Sequence, residues 1–556
     1  LLFMKLLCTL LFCILANIVI AQPALVFTEY DLNTGASKHS FPIYFHAMGS
    51  RFIFTAVSDS TGREIWISDG SHSGTKILKD IWSGPGGSFA GNFTMFNNKI
   101  IFSAIDGYNH NNGSDPWITD GLSAGTHIIK DICPVSMSGQ TAYIPYNGKL
   151  YFTNDDGTNG RELWVTDGTS AGTQMIKDIN TGPIGSNSRF LTVFDGKLFF
   201  AADQVNVGIE LWVSDGTSAD TYLLKDIDSI KKGDGNPSYL TVNDNMLYFR
   251  ACTAAEGCEL WVSDGTNLGT RLIKDIYPGS IGSVLSLNSS FNIIAYNNKV
   301  YFNATDSSHG NELWVTDGTA SGTQLIKDIN PGIADCNIVY LGIYNNKMYF
   351  SANDGVNGTE LWVTDGTTTG TRMVKDLYIG TGKSSMPLNF AVYKNHMYFT
   401  ALQADEDRQL WVSDGTAAGT YVVAPPMISS INPLPTIGQF FEFNQDSSLY
   451  FMANYTSKGC ELWSIKDMSG TSVKPGQAPN TFSLYPNPNN GTFTLTLDNN
   501  NFTTGSLQVY DVLGRRVHEQ AVTDKTQTIR LQQPAGNYWV KLQLDDVVLT
   551  KQVVVE

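Results

Sequence analysis

ELWVTDGTSAGTQMIKDI, residues 162–179, is the clearest copy of a stretch that recurs along the chain. Residues 312–329 read ELWVTDGTASGTQLIKDI, and residues 360–377 read ELWVTDGTTTGTRMVKDL. A tryptophan marks each copy, and successive tryptophans are 51, 47, 48, 49, 53, 48, 49 and 52 residues apart. The markers are Trp66, Trp117, Trp164, Trp212, Trp261, Trp314, Trp362, Trp411 and Trp463. A fixed period of roughly 20–50 residues is typical of repeat architectures, so the chain has nine repeats, numbered in this order.

Each repeat contains four runs with the composition of short β-strands. Repeat 4 shows them as FLTVF (190–194), KLFFAA (197–202), IELWVSD (209–215) and TYLLKDI (221–227). Asp195-Gly196 and Asp215-Gly216-Thr217 separate consecutive runs, and Asp-Gly suits a tight turn because glycine accepts positive φ. The pattern therefore predicts a four-stranded antiparallel sheet for each repeat.

The ELWVT strand has bulky side chains on both faces. Leu163 and Val165 point to one face, whereas Trp164 points to the other. Only a sheet that is covered on both sides buries such a strand, and no helical pattern supplies the cover. Radially packed blades do supply it. We therefore predict an all-β chain with a single large β-propeller of about nine, alternatively eight, four-stranded blades.

The fourth strand is expected to be the outermost one. Its lysines are predicted to lie on an exposed edge, where a charge opposes aggregation. They are Lys79, Lys130, Lys177, Lys225, Lys274, Lys327 and Lys375. Repeat 9 stops at CELWSIKD without a fourth strand, so we expect the N-terminal run ALVFTEYD (24–31) to complete its blade and close the ring.

The N-terminus has the pattern of a secretory signal. Met4 and Lys5 precede a short apolar run that ends in small residues, which predicts cleavage between Ala21 and Gln22. No later run approaches the roughly 18 apolar residues of a membrane span, so the mature chain is expected to have no transmembrane segment. The formal net charge of -16 argues against nucleic acid as a partner.

Five cysteines remain after cleavage of the predicted signal peptide. Cys252 and Cys258 flank a short CTAAEGC turn and form a possible disulfide in an oxidising compartment. The cysteines and histidines lack the spacing of a zinc site.

The repeats resemble the ELWxxDGT repeats of exported proteins from Bacteroidetes-type bacteria, over residues 41–467. Behind a linker, the tail is similar to the type A sorting domain of the type IX secretion system. The matching residues are Tyr485, Pro486, Asn487, Pro488, Gly491, Tyr510, Asp511, Gly514, Gly536 and Tyr538, followed by the terminal KQVVVE. This resemblance implies recognition by the type IX machinery, followed by removal of the tail and anchoring or release of the mature protein. The tail's short alternating strands independently predict a small Ig-like β-sandwich.

These observations divide the chain into four segments. The predicted signal peptide is 1–21, the propeller 22–467, the linker 468–481 and the sorting domain 482–556. The expected location is secreted or attached to the outer-membrane surface.

Several motifs suggest chemistry but have simpler interpretations. GLSAG (121–125) and GTSAG (168–172) match a serine-hydrolase pattern, yet both occupy a repeat turn in which the serine is replaceable. The aspartate before each Gly-Thr is interpreted as a turn cap and not as a carboxylate for calcium or catalysis. Oxygen-rich loops at 154–160 and 353–358 leave calcium possible, although no cofactor is otherwise predicted. The repeated tryptophans are assigned to packing between blades, and the scattered histidines to the surface.

The near-uniform blades favour a non-enzymatic binding or adhesion protein whose propeller contacts a polysaccharide or a surface protein. The chain is accordingly predicted not to be an enzyme. A secreted polysaccharide hydrolase or lyase is the first alternative, with the deviant loops of repeat 2 (106–117) and of 228–239 as its expected site. A structural surface-layer component is the second.

Overall fold

The structure is a computed structural model that describes residues 25–34, 38–107, 113–133, 142–230, 233–284, 293–403, 408–423, 440–454, 459–467, 482–497, 505–511, 515–544 and 547–555. Every regular element in these residues is a β-strand, which confirms the all-β prediction. The chain forms two compact units. The larger is Glu29–Ser464, and the smaller combines described residues up to Thr28 with those from Ile465 onward.

Repeats 1 to 8 each form one four-stranded antiparallel sheet with its strands in chain order. The N-terminal strand β1 (Leu25–Tyr30) precedes them. Repeats 1 to 4 contain β2 (Ile43–Met48), β3 (Arg51–Ser58), β4 (Gly62–Ser68), β5 (Lys76–Lys79), β6 (Gly91–Phe96), β7 (Lys99–Ala104), β8 (Asp115–Thr119), β9 (His127–Ile128), β10 (Ile144–Tyr146), β11 (Lys149–Asp155), β12 (Arg161–Thr166), β13 (Gln174–Lys177), β14 (Arg189–Phe194), β15 (Lys197–Gln204), β16 (Gly208–Ser214) and β17 (Thr221–Lys225).

Repeats 5 to 8 follow the same order. They contain β18 (Ser238–Asn243), β19 (Met246–Thr253), β20 (Gly257–Ser263), β21 (Arg271–Leu272), β22 (Ile293–Tyr296), β23 (Lys299–Ala304), β24 (Glu312–Thr316), β25 (Gln324–Lys327), β26 (Val339–Tyr344), β27 (Lys347–Asn353), β28 (Thr359–Thr364), β29 (Arg372–Lys375), β30 (Leu388–Tyr393), β31 (His396–Leu402), β32 (Arg408–Ser413) and β33 (Tyr421–Val422). Repeat 9 contributes β34 (Phe441–Phe443), β35 (Ser448–Ala453) and β36 (Glu461–Asp467), and β1 lies next to β36 in the sheet order.

The first hairpin of each sheet in repeats 1 to 8 closes through a two-residue turn. In repeat 4, Phe194 pairs with Lys197 across Asp195 and Gly196, whose φ angles are 46° and 64°. Positive φ at both central residues defines the turn type whose twist matches a β-hairpin. The predicted Asp-Gly turn is therefore present at this position.

The third strand of each repeat is buried on both faces, as the alternation of its side chains predicts. Leu163, Trp164 and Val165 are all buried. Leu163 and Val165 belong to the same core cluster as Phe200 and Trp212 of the following repeat. The hydrophobic core therefore lies between successive sheets.

The first strands of successive sheets contact one another around an axis. Contacts join β2 to β6, β14 to β18, β18 to β22 and β30 to β34, and β34 also contacts β2. The last repeat therefore returns to the first, and the larger unit is a β-propeller with its first strands around a central channel.

The smaller unit contains two sheets. Its strands are β37 (Phe482–Tyr485), β38 (Thr492–Leu497), β39 (Gly505–Tyr510), β40 (Arg516–Ala521), β41 (Thr526–Arg530), β42 (Gly536–Leu544) and β43 (Val547–Val555). One sheet has the order β37-β38-β41, and the other contains the run β43-β42-β39-β40. Leu495, Val509 and Val540 lie in the buried core that both sheets share.

Candidate functional site

The glutamate of each ELW triplet holds the loop that leads into the next repeat. In repeat 3, Glu162 Oε1 accepts backbone N–H bonds from Asn180 (3.2 Å) and Ser186 (2.8 Å), and Oε2 accepts the Ser186 hydroxyl (2.6 Å). The side chain is fully buried, and this burial raises the pKa of Glu162 to about 7. Burial likewise raises the pKa to about 7 in Glu64, Glu210, Glu259, Glu312 and Glu461.

This role of the glutamate was not among the sequence predictions. The usable signal was the repetition itself, because a carboxylate stands before Leu-Trp or its counterpart in all but one repeat, and Gln409 takes its place in repeat 8. A buried carboxylate needs several donors, and consecutive backbone N–H groups of a loop supply them.

The same network joins the two ends of the propeller. Glu461 of repeat 9 accepts bonds from Leu32 N (2.9 Å) and from the Ser40 hydroxyl (2.7 Å) on the same oxygen, Oε2. Leu32 and Ser40 thus occupy the places of the loop residues that bind Glu162. The N-terminal segment supplies the loop that repeat 9 lacks in its own sequence.

The lysine of the fourth strand bonds to the next repeat, so our prediction of solvent-facing edge lysines was wrong. Lys177 Nζ donates to the backbone oxygen of Thr221 at 2.6 Å. The remaining lysines donate from Lys79 to Thr126 O (2.5 Å), Lys130 to Thr173 O (2.7 Å), Lys225 to Asn267 O (3.4 Å), Lys274 to Thr323 O (2.9 Å), Lys327 to Thr371 O (2.8 Å) and Lys375 to Thr420 O (2.5 Å). Lys130 also lies 5.8 Å from the ring centre of Trp164. The lysines therefore connect blades.

The aspartate before each Gly-Thr caps a turn. Asp167 Oδ1 accepts the backbone N–H of Thr169 (2.9 Å) and its hydroxyl (2.7 Å), and these bonds lower the pKa of Asp167. A Cβ placed on Gly172 would lie 2.0 Å from Asp167 Oδ1, so a larger residue there requires a shift of the Asp167 carboxylate. Repeat 4 has Asp220 at the equivalent position. Ser123 and Ser170 of the two GxSxG matches lie exposed in equivalent turns.

The oxygen-rich loops between the second and third strands bond to themselves. Asp156 Oδ1 accepts backbone N–H bonds from Thr158 (2.9 Å) and Asn159 (2.7 Å). Asp306 and His309 repeat this arrangement, and the Asp306 bond raises the pKa of His309. Among the described residues, no three His, Cys, Asp or Glu side chains are grouped as metal ligands.

The cysteines of the propeller fall into two classes. Cys252 and Cys258 are opposite each other on β19 and β20 and are joined by a disulfide. Cys133, Cys336 and Cys460 are buried thiols. The deviant loops of repeats 2 and 4 include residues 108–112 and 231–232, which lie outside the described residues.

The first strands carry a repeated irregularity where they enter the channel. In repeat 2, Phe89 (φ 49°) and Asn92 (φ 55°) both have left-handed backbone, and the β6–β7 register shifts between Gly91 and Thr94. The same conformation occurs at Phe41, Tyr44, Asn187, Phe190, Asn236, Tyr239, Asn337, Met386 and Asn389. Together with Tyr340 these residues define what we call the channel mouth.

The glutamate network positions the channel mouth. Ser88 N donates to Glu64 Oε1 at 2.9 Å, and Phe89 is the next residue. Arginines support the same backbone in two repeats, because Arg63 donates to Phe41 O (3.0 Å) and Arg408 to Met386 O (2.9 Å).

Three of the large side chains at the channel mouth are exposed, whereas Phe41, Phe190, Tyr239 and Tyr340 are half-buried. Tyr44 is 52% exposed, Phe89 64% and Met386 49%. At the mouth, the same backbone conformation therefore carries side chains that differ from repeat to repeat, and three of them face solvent. These residues could not be predicted from the sequence, because aromatic residues give no signal for positive φ.

The sorting motif is partly structural and partly exposed. Asn487 Nδ2 donates to Gln552 O (2.9 Å), and its Oδ1 accepts Val554 N–H (2.8 Å), so it fastens the last strand. Asn489 Oδ1 accepts Gly491 N–H at 2.8 Å. Tyr485, in contrast, is 78% exposed.

The other predicted sorting residues are spread over the smaller unit. Tyr510 donates to Gln508 Oε1 (2.8 Å), and Asp511 accepts from Arg515 Nε (2.8 Å). Tyr538, which lies two residues after Gly536, donates to Pro534 O (2.7 Å). Gly514, the predicted cleavage site at Ala21 and Gln22, and the linker 468–481 lie outside the described residues.

The larger unit is a propeller, and solved structures with propellers match it distantly. A prolyl endopeptidase structure matches with a TM-score of 0.33 and 11% identity, and the match covers 65% of this chain and 54% of the endopeptidase chain. The β-propeller domain of the Trilobed protease from Pyrococcus furiosus has a TM-score of 0.31 and 13% identity, covering 69% and 98%. A puromycin hydrolase structure has a TM-score of 0.32 and 12% identity, covering 69% and 61%.

Our prediction that the chain is not an enzyme is contradicted by this comparison, because the matching structures are a prolyl endopeptidase, a protease domain and a puromycin hydrolase. The chain spans less than two thirds of the length of the prolyl endopeptidase and the puromycin hydrolase.

The C-terminal residues 483–556 match the family described as the secretion system C-terminal sorting domain. This tail indicates export by the type IX system to the cell surface or the medium, and interaction with that machinery. No curated protein matches the chain. In the part of the chain that the structure describes, no helix has the length and apolar character needed to span a bilayer.

Proposed function

We propose that the chain is a surface or secreted binding protein whose propeller presents a ligand platform after type IX export. Its ligand is a polysaccharide or another surface protein. The observation that carries this proposal is that the repeated charged residues make structural contacts, whereas the residues that vary lie at the channel mouth. Glu162, Lys177 and Asp167 with their counterparts are engaged in contacts within or between repeats, whereas the channel mouth varies between repeats and exposes Tyr44, Phe89 and Met386.

The proposed domains are a signal peptide at 1–21, a nine-bladed propeller at 22–467, a linker at 468–481 and an Ig-like sorting domain at 482–556. The contact of β34 with β2 and the bonds from Leu32 and Ser40 to Glu461 support nine blades over eight. Two sheets around one core support an Ig-like sandwich for the tail.

The test follows the protein through export and then to its ligand. The full chain and a variant that ends at residue 481 are expressed in a bacterium with a type IX system, and the cell surface and medium are assayed. We expect the full chain outside the cell and the shortened chain retained in the periplasm. The exported protein is then applied to immobilised polysaccharides and to intact cells. Export without binding to either would contradict the binding role.

A structural surface component is the second candidate, favoured by isolated isoleucines on the loops between repeats. Ile184, Ile281, Ile333 and Ile379 are 72%, 58%, 85% and 84% exposed. Ile184 and Ile281 occupy equivalent positions, and Ile333 and Ile379 lie nearby in the corresponding loops. Exposed apolar side chains on one set of loops suit contacts with a neighbouring protein. Concentration-dependent self-association of the exported protein, measured by light scattering, would support this role.

A further inference from the structure

Most repeats described at the channel mouth combine one aromatic or methionine side chain with one asparagine. Repeat 2 has Phe89 and Asn92, repeat 4 has Asn187 and Phe190, and repeat 5 has Asn236 and Tyr239. Repeats 7 and 8 follow the same rule, and repeat 1 has two aromatic residues. The order of the two side chains changes between repeats, so the pairing is not a by-product of one copied sequence.

The fold alone does not account for these residues. Left-handed backbone suits glycine, and it disfavours an aromatic residue or methionine. Phe89 at φ 49° is nevertheless 64% exposed, and Met386 at φ 46° is 49% exposed. Such side chains gain little from burial, although their backbone is strained. Strained residues of this kind concentrate at ligand sites.

The mouth positions suit an uncharged polar ligand, since the neighbouring Arg63, Arg189 and Arg408 already donate hydrogen bonds within the propeller. In the six repeats described there, neither mouth position holds an acidic or basic residue. Arg189 lies against Phe190 and donates to Asn236 Oδ1 (3.1 Å), so its guanidinium supports the ring. The net charge of -16 disfavours a polyanion.

We propose that the channel mouth binds a neutral carbohydrate chain. This inference rests on the proposed function and names the ligand class. Aromatic faces stack on the C–H faces of pyranose rings, and the amide of an exposed asparagine such as Asn187 offers both a donor and an acceptor to adjacent hydroxyl groups. Aromatic and amide side chains around one opening provide both contacts for successive sugar units.

The test uses affinity electrophoresis of the full chain in gels that contain mannan, a β-1,3-glucan or alginate. The variant Tyr44→Gly/Phe89→Gly removes two exposed side chains at positions where glycine relieves backbone strain. We expect wild-type retardation by a neutral polysaccharide, at least about tenfold weaker affinity in the variant, and an unchanged or higher melting temperature. Leu268→Ala is the matched control, because Leu268 is 95% exposed on the turn between a third and a fourth strand.

Each result decides the inference. Neutral-polysaccharide binding that survives in the double variant overturns the mouth as the site and leaves the proposed function standing. Preference for alginate, or no retardation by either neutral polysaccharide, overturns the ligand class. In that case the proposed function depends on a protein partner, which the assay on intact cells measures separately. An equal loss of affinity in Leu268→Ala also argues against the mouth as the binding site.

Discussion

Replacing Glu162 by glutamine should make the stability of the propeller less sensitive to pH. Glu162 is buried and accepts bonds from Asn180 and Ser186. Its pKa rises from 4.5 to about 7 because burial disfavours the charged form. A raised folded pKa contributes stability that is fully present below the unfolded pKa of 4.5 and is lost as the pH rises through about 7.

The size of the effect follows from the pKa difference. One pKa unit corresponds to about 1.4 kcal/mol, so a pKa raised from 4.5 to about 7 corresponds to about 3 kcal/mol. Glutamine has the same shape, its oxygen can accept both backbone N–H bonds, and its amide can donate to the Ser186 hydroxyl. Gln409 occupies this position in repeat 8 and is also buried.

The assay is urea unfolding of wild type and Glu162→Gln at a series of pH values from 4.5 to about 8. We expect the free energy of unfolding of the variant, relative to wild type, to rise by about 3 kcal/mol across this range. Asp167→Asn is the control, because hydrogen bonds lower the pKa of Asp167 and its contribution is lost only as the pH falls below the ordinary aspartate range. A difference that does not change with pH would refute the reasoning, since the loop N–H groups would then keep Glu162 ionised throughout.

Three further predictions concern the contacts that hold the repeats and the tail. Lys177→Met keeps the aliphatic stem but removes the bond to Thr221, so urea unfolding should show a free energy of unfolding that is lower by about 1–3 kcal/mol. Lys197→Met on the exposed turn should leave the free energy of unfolding unchanged. Gly168→Ala should destabilise the propeller by more than about 1 kcal/mol, because Gly168 has a φ of 86° that alanine adopts only with strain, and the neighbouring Ser170→Ala should be neutral in the same thermal melt. Asn487→Ala should lower the melting temperature of the purified tail by releasing Val554, while Tyr485→Ala should leave it unchanged; equal effects would show that exposure does not separate the two roles.

Much of the fold could be predicted because its causes are local in the sequence. Strand alternation around Trp164 and the Asp195-Gly196 turn depend on neighbouring residues, and both are found as expected. Burial of both faces of one strand then leads to sheets packed on sheets. The position of the N-terminal strand beside repeat 9 could also be predicted, since repeat 9 lacks its own fourth strand.

The contacts between repeats could not be predicted in the same way. Glu162 reaches residues 18 and 24 positions later, and Lys177 reaches an oxygen 44 positions later. Charged residues in such patterns usually lie in solvent, which is why the lysines were assigned to an exposed edge. A loop passes close enough to satisfy each charge, and only the folded arrangement shows that loop. The left-handed backbone of Tyr44 likewise lies within the register shift between Ile43 and His46, and its residue type gives no signal of that conformation.

Repetition and variation in this chain therefore report different constraints. A residue that must perform the same contact in every blade, such as Glu162 or Asp167, recurs because its surroundings recur. A ligand that crosses the channel axis does not meet identical surroundings in every blade, so its contacts are free to differ. Phe89 and Asn187 occupy equivalent positions with the same backbone but different chemistry. Specificity in such a propeller is expected where the backbone repeats and the side chains do not, and the channel mouth meets both conditions.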